Sequence, residues 1–318
     1  MRYVLRADAS ESIGSGHVMR SSAIAEELIA RGEDVFFVGH ISGLPWVAER
    51  IAELGFSHIY NNPGDFLSSP DSDVLLLDSY EIPVNDDFID SENWLHIVVM
   101  VDELTPNYRC SLRIHSGLDS NWSGESKVPI LAGPKYIPFR TSLSKNMHSE
   151  NPEQHILKIA VVAGGSDPCG LVNEIAKILA LIPQEFEAYL FSNSTLDSTL
   201  DSRFRVIEVG QRLDELTKNV DLVLTTSSTS SLEFIARGLC VGVICAVDNQ
   251  KQYYNSLGEL AVAAQIGFRN LDKEWDLDKE KIHLLITSNE LRENLLEKAK
   301  GLIDFKGAVR IVDAITTL

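Results

Sequence analysis

The stretch Arg2-Tyr3-Val4-Leu5-Arg6, then Ile13-Gly14-Ser15-Gly16-His17 and Val18 onward, decides how this chain is read. Residues 2–6 predict a short buried strand. Residues 18–31 carry Val18, Ala23, Ile24, Leu28 and Ile29 at helical spacing and stop at Gly32. A glycine-rich turn therefore delivers a histidine between a strand and a helix. Gly14 and Gly16 let backbone approach a ligand closely, and the free N–H groups of the helix start favour an anion. His17 puts a titratable nitrogen beside such a ligand, where a general base or acid would stand. Helix capping is the plainer use of the same residue.

Working outward, short apolar runs alternate with helical segments along the whole chain. In the first half the strands are expected at 3–6, 35–38, 74–77, 97–101 and 112–115, with a helix over 44–54 that ends at Gly55. Near-continuous apolar strands separated by helices indicate a parallel sheet covered on both faces. The polar segment 142–154 (SLSKNMHSENPEQ) reads as a linker. The rhythm then restarts with a strand over 156–162, the turn Gly164-Gly165-Ser166-Asp167-Pro168 and a helix from about 171 to 181. Further strands are expected at 187–191, 205–209, 222–224 and 241–245, and a helical tail from about 278. The fold class is α/β, with two Rossmann-like domains: 1–145, carrying the glycine–histidine turn, and 153–303. Residues 304–318 form a candidate helix crossing back to the first domain. In such folds ligands bind at the C-terminal ends of the strands, here expected at a central cleft.

Composition narrows the function. At 318 residues, 44% hydrophobic and 23% charged, the chain has the make-up of a folded soluble protein, and cytoplasmic location is expected. No run is long enough to span a bilayer, and no basic segment followed by an apolar leader opens the chain. A formal net charge of −18 argues against nucleic acid or an anionic membrane as partner. A phosphorylated small molecule remains compatible, because backbone N–H groups and helix N-termini can hold it without lysines. Cys110, Cys169, Cys240 and Cys245 show no CxxC pairing and are expected to be reduced and mostly buried. The other histidines (His40, His58, His96, His115, His148, His155, His283) are scattered, none at metal-ligand spacing, so neither a metal nor a cofactor is expected.

Several further segments could carry chemistry. A dinucleotide fingerprint would need a small residue three positions after Gly16, and Met19 stands there. Asp78-Ser79-Tyr80 and Asp102-Glu103 each end an apolar strand, placing carboxylates where they orient His17 or contact sugar hydroxyls, or merely cap a helix. Gly164-Gly165-Ser166-Asp167 offers backbone donors and a hydroxyl to phosphate. Residues 225–231 (TTSSTSS) are hydroxyls in succession, more than one helix cap needs, and Glu233 follows one turn into that helix. Asn249 and Gln250, in a polar strand end, could hold sugar or phosphate.

Taken in order, Arg6-Ala7-Asp8-Ala9-Ser10 through Gly14-Ser15-Gly16-His17-Val18-Met19-Arg20, Asp78-Ser79-Tyr80, Asp102-Glu103, Gly133-Pro134-Lys135-Tyr136 with Arg140, Gly164-Gly165-Ser166-Asp167, Ser227-Ser228 to Glu233 and Asn249-Gln250 resemble the PseG family. These are UDP-2,4-diacetamido-2,4,6-trideoxy-β-L-altropyranose hydrolases of pseudaminic acid biosynthesis, related to SpsG-like spore-coat proteins. The likeness runs from residue 2 to about 257, and the wider kinship is with MurG-related GT-B glycosyltransferases. The resemblance implies a GT-B fold and a hydrolase that releases UDP from a UDP-activated amino-deoxy sugar, supplying nonulosonic acid synthesis. It implies His17 as the base that activates water, and Asp8, Tyr80 or Asp102 positioning the sugar or the imidazole. Gly14, Gly16, Arg20 and Gly165 would contact substrate, Ser166, Ser228 and Ser231 the diphosphate, Glu233 the ribose, and Asn249 and Gln250 the sugar or phosphate. Where the family commonly has Asp-His-Tyr, this chain has Asp78-Ser79-Tyr80, so the second histidine's role is missing. An inverting glycosyltransferase and a non-catalytic nucleotide-sugar-binding protein remain the alternatives.

Overall fold

A computed structural model describes residues 1–122, 127–143, 156–164, 167, 169–196, 200–210 and 213–318. Most of the 142–154 segment read as a linker, and Gly165, Ser166 and Pro168 of the second glycine turn, lie outside the described residues. The chain forms two compact units, 1–142 with 304–318, and 143–303.

The first unit is built on strands β1 (Arg2–Arg6), β2 (Asp34–Val38), β3 (His58–Tyr60), β4 (Asp73–Leu77), β5 (His96–Met100), β6 (Leu112–His115) and β7 (Ile130–Ala132). They form one parallel sheet in the order β3-β2-β1-β4-β5-β6-β7. Helices α1 (Gly16–Ala30) and α2 (Pro45–Glu53) connect the first strands. Alternate residues of β1 explain why its centre, Tyr3-Val4-Leu5, is apolar without alternation. Tyr3 and Leu5 enter a core with Val18, Ile24 and Leu28 of α1, while Val4 faces the opposite core with Leu75, Leu77 and Trp94. A strand covered on both faces has no polar side.

The C-terminal helix, Gly307–Ile315, belongs to this unit as well: Ile311, Val312 and Ile315 are buried in the core that holds α1. Gly307 permits that docking, since a Cβ there would lie 1.9 Å from the Ile137 carbonyl oxygen. Arg310 secures the same corner, donating to the Lys135 carbonyl and pairing with both oxygens of Asp304.

The second unit repeats the plan with β8 (Leu157–Val162), β9 (Phe186–Phe191), β10 (Phe204–Ile207), β11 (Leu222–Thr226), β12 (Cys240–Cys245), β13 (Ala264–Arg269) and β14 (Trp275–Leu277). The order is β10-β9-β8-β11-β12-β13-β14, parallel except for the β13–β14 pair. Its helices are α3 (Leu171–Ala180), α4 (Leu213–Leu216), α5 (Thr229–Ala236), α6 (Lys251–Glu259), α7 (Lys279–Thr287) and α8 (Asn289–Ala299). In both sheets connections run outward in opposite directions from a central strand, β1 or β8. The gap between β1 and β4, and between β8 and β11, is the point where such sheets bind ligands.

The structure adds elements that periodicity does not announce. β3, β7 and β14 are three-residue edge strands, too short to show alternation. β13 is interrupted by Gly267 and paired with a register shift. α6 follows a segment read as polar loop, and only Leu257 of that helix is buried. All four cysteines are free, but only Cys240 and Cys245 are buried.

Gly307→Ala is expected to destabilise the first unit by about 1–3 kcal/mol, because helix and Ile137 backbone must separate to admit one methyl. Urea denaturation followed by circular dichroism measures it; an unchanged midpoint means the C-terminal helix is not seated as described.

Candidate active site

The first-unit site grows from the β1/β4 switch point. Gly14 takes φ +82°, a left-handed conformation that glycine adopts without strain, and its N–H donates to the Ser10 carbonyl at 2.7 Å. This tight turn starts α1 at Gly16. Among the described residues no side chain caps α1, so its first-turn amides have no intrahelical or side-chain partner.

His17, in that first turn, faces the end of β4. Its Nδ1 stands 2.6 Å from Asp78 Oδ1. Asp78 is buried and takes three more hydrogen bonds: from Arg20 Nε at 2.5 Å, Arg20 Nη2 at 2.6 Å and Ser21 Oγ at 3.2 Å. Burial alone would raise the Asp78 carboxyl, but Arg20 and His17 outweigh it and hold the group well below the usual carboxylate range. An ionised carboxylate is an acceptor only, so Nδ1 carries the proton. Nε2 is then the ring's basic nitrogen. It has no hydrogen-bond partner among the described residues and is not one of the chain's sealed polar atoms, although the residue as a whole is 8% exposed.

Tyr80 packs edge-on against the imidazole, ring centroids 4.4 Å apart, and its hydroxyl donates to Asp102 Oδ2. Burial, with the Asp102 charge added, raises the phenol well above its ordinary range, so it stays a donor. Asp102 Oδ1 accepts from the Leu104 N–H and Thr105 hydroxyl.

Of the strand-end carboxylates expected to orient His17, Asp78 is the one bonded to the imidazole, with Tyr80 against the ring's edge. Asp8 is tied to Arg6 at 2.6 Å and to the His40 N–H at 2.7 Å. Arg20, expected at the substrate, is buried with its guanidinium committed to Asp78. Ser79 is buried and its hydroxyl oxygen accepts from the Glu81 N–H.

In the second unit the corresponding point lies outside β8 and β11. Asp167 sits at φ +44° and its carboxylate accepts the Leu171 and Val172 N–H groups at 2.8 and 3.1 Å. The start of α3 is therefore already occupied by an anion of the chain itself. α5 is different: Ser228 N-caps it with no side-chain bond to the first turn. Its Oγ lies 3.3 Å from Thr226 Oγ1. Ser231 is fully buried and its hydroxyl donates to the Ser228 carbonyl at 2.6 Å, which makes it part of the helix turn rather than a ligand surface. Ser227 is similarly engaged with the Ile244 and Gln250 carbonyls. Glu233 is half-buried on α5, and Asn249 is exposed. Gln250 spends its side-chain oxygen on the Ala246 N–H and keeps its amide donors. The hydroxyl run thus divides into internal braces and a smaller set at the head of α5. Among the described residues no group of three or more His, Cys, Asp or Glu could hold a metal, and no helix is long and apolar enough to cross a membrane.

Asp78→Asn is expected to destabilise the protein by about 3–5 kcal/mol, because it removes the negative charge that is paired with buried Arg20 and with His17. Acid should act in the same direction. Asp78 holds its proton more weakly in the fold than in the unfolded chain, so its contribution is intact above about pH 4 and is lost as pH falls toward the native value. Denaturant midpoints measured between neutrality and acid test both: a wild-type midpoint flat across that range removes the ion pair from the stability of the fold.

No protein-family model matches the chain. The uncharacterized protein MJ1062 of Methanocaldococcus jannaschii is 22% identical across the whole chain, which spans 66% of that protein's length. Among solved structures, MurG of Acinetobacter baumannii superposes with a TM-score of 0.64 at 13% identity, covering 100% of both chains. The glycosyltransferase SsfS6 of Streptomyces sp. SF2575, complexed with thymidine diphosphate, gives 0.62 at 13% identity over 99% of each chain. CalG4, the calicheamicin glycosyltransferase, gives 0.56 at 15% identity over 99% of this chain and 98% of its own. This chain has the GT-B fold.

Proposed function

We propose that the protein hydrolyses a UDP-activated amino-deoxy sugar of the 2,4-diacetamido-2,4,6-trideoxyhexose type, with His17 as general base, in nonulosonic (pseudaminic) acid biosynthesis. The observation that carries the reading is the Asp78–His17 pair, with Nδ1 held and Nε2 left unpartnered at the β1/β4 switch point. A water beside Nε2 loses its proton to that nitrogen as its oxygen attacks the anomeric carbon. The bond from that carbon to the phosphate oxygen breaks, and UDP departs with the electron pair. Asp78 stabilises the imidazolium as it forms, which makes it a positioning residue. Tyr80 limits the ring's rotation from its edge. Gly14, Gly16, Asp8 and Asp102 belong to the sugar side of the proposal.

The second unit would hold the nucleotide. The uncapped start of α5, with Ser228, offers amide and hydroxyl donors to a diphosphate, and Glu233 one turn later offers a carboxylate to ribose hydroxyls. Gly165, Ser166, Asn249 and Gln250 complete the proposed donor set. SsfS6 and VinC, two proteins of this fold, are complexed with deoxythymidine diphosphate, which supports a nucleoside diphosphate as the ligand class.

Transfer to an acceptor hydroxyl is the second reading, favoured by the glycosyltransferases among the similar structures. The same base serves either nucleophile. Product analysis separates them: free sugar and UDP without any acceptor mean hydrolysis, and turnover only with an acceptor means transfer. A thermal-shift screen of UDP-, GDP- and CMP-sugars selects the substrate for that assay.

His17→Ala should lower turnover by about 10²–10⁴-fold while nucleotide binding persists; unchanged UDP release excludes His17 as the base. Glu233→Ala should weaken UDP binding, and calorimetry returning the wild-type affinity would remove it from the ribose contact.

A further inference from the structure

His115 ends β6, beyond β5 from the His17 turn, and has no part in the chemistry above. It is 2% exposed and lies flat against Trp122, ring centroids 4.7 Å apart and planes within 7°. Its Nδ1 is 3.1 Å from the Val101 carbonyl oxygen. A carbonyl only accepts, so Nδ1 carries a proton and donates it there. Burial lowers the basicity of the ring, which therefore stays neutral. Nε2 is left as a bare acceptor.

Among the described residues that acceptor has no partner, and it has no contact with solvent. A buried acceptor without a donor is destabilising, and an apolar ring would stack on Trp122 without this penalty. Nε2 faces the place where a side chain at 117 would begin: a Cβ on Gly117 would lie 2.5 Å from it, nearer than to any other ring atom. The residue standing beside the nitrogen is thus the one without a side chain.

The ring also adjoins the candidate site. Val101, which takes the Nδ1 proton, precedes Asp102, and Asp102 accepts the Tyr80 hydroxyl, whose ring touches His17. The charges of Asp102 and Arg20 both act on His115.

We propose that His115 is a specificity-determining residue: its Nε2 accepts a hydrogen bond from a hydroxyl or acylamino N–H of the sugar carried by the nucleotide. The proposal rests on the nucleotide-sugar reading given above. A donor group satisfies Nε2, whereas a sugar presenting only an acceptor there meets a lone pair. Nε2 is covered on that side by the buried 116–118 segment, and that segment must shift for the sugar to reach it.

The test uses the whole chain and four probes: UDP, UDP-glucose, UDP-N-acetylglucosamine and UDP-N-acetylgalactosamine. Calorimetry on wild type is compared with His115→Asn, which retains a donor toward Val101, and His115→Phe, which retains the stack. At least one UDP-sugar should bind wild type more tightly than UDP, and both variants should lose about five- to fifty-fold of that advantage while binding UDP normally. Loss confined to the N-acetylated probes identifies the acylamino group as donor; loss shared with UDP-glucose identifies a hydroxyl. A second measurement needs no variant: the ¹⁵N resonance of Nε2 should move on adding the UDP-sugar and stay put with UDP. The assignment is overturned if the variants keep the sugar's advantage, or if wild type binds UDP and gains nothing from any sugar. If UDP itself fails to bind, the nucleotide reading falls and takes this assignment with it.

Discussion

One buried carboxylate organises the first unit's site. Asp78 lies at the end of β4, sealed from solvent, and binds a guanidinium on one side and an imidazole on the other. An isolated carboxylate in that position would be driven to protonate. Arg20 keeps it charged, and the charge in turn dictates which imidazole nitrogen carries the proton. The arrangement is cooperative: α1 supplies His17, Arg20 and Ser21 from successive turns of one helix, so helix docking and carboxylate ionisation are parts of one event. Losing the arginine would disturb the imidazole's chemistry both through Asp78 and directly, since Arg20 Nη2 lies 3.3 Å from His17 Nδ1.

The two units solve the problem of an empty helix start in opposite ways. In the second unit α3 is closed by Asp167, which trades a left-handed backbone and a buried charge for two amide hydrogen bonds. α5, beside it across the β8/β11 switch, has no such cap. One helix start is therefore satisfied by a side chain of the chain itself, while the other has no side-chain cap among the described residues. The hydroxyls around α5 are partly consumed in making that opening rigid, with Ser227 and Ser231 braced against carbonyls.

Much of the architecture was legible because both sheets are covered on two faces. Runs such as residues 3–5, 74–77 and 240–245 are apolar without alternation, and glycines mark where they turn. The edges were not legible. A three-residue strand such as β3 or β14 is defined by its neighbour's hydrogen bonds more than by its own side chains. The site was half readable. A histidine after two glycines and an acid after an apolar strand stand out, yet their pairing spans 61 positions and depends on β4 lying beside β1. Arg20 entered through the resemblance alone, and its burial against Asp78 is visible only in the fold. His115 gave no signal at all, since an orphaned lone pair exists only once the chain has folded around it.

The C-terminal helix carries a consequence for synthesis. Every strand of the first unit has been synthesised by residue 132, but Ile311, Val312 and Ile315, which close one of its cores, are added only after the whole of the second unit. The intervening 143–303 segment can complete its own core first. That face of the first unit's core can therefore be completed only after the second unit has been synthesised.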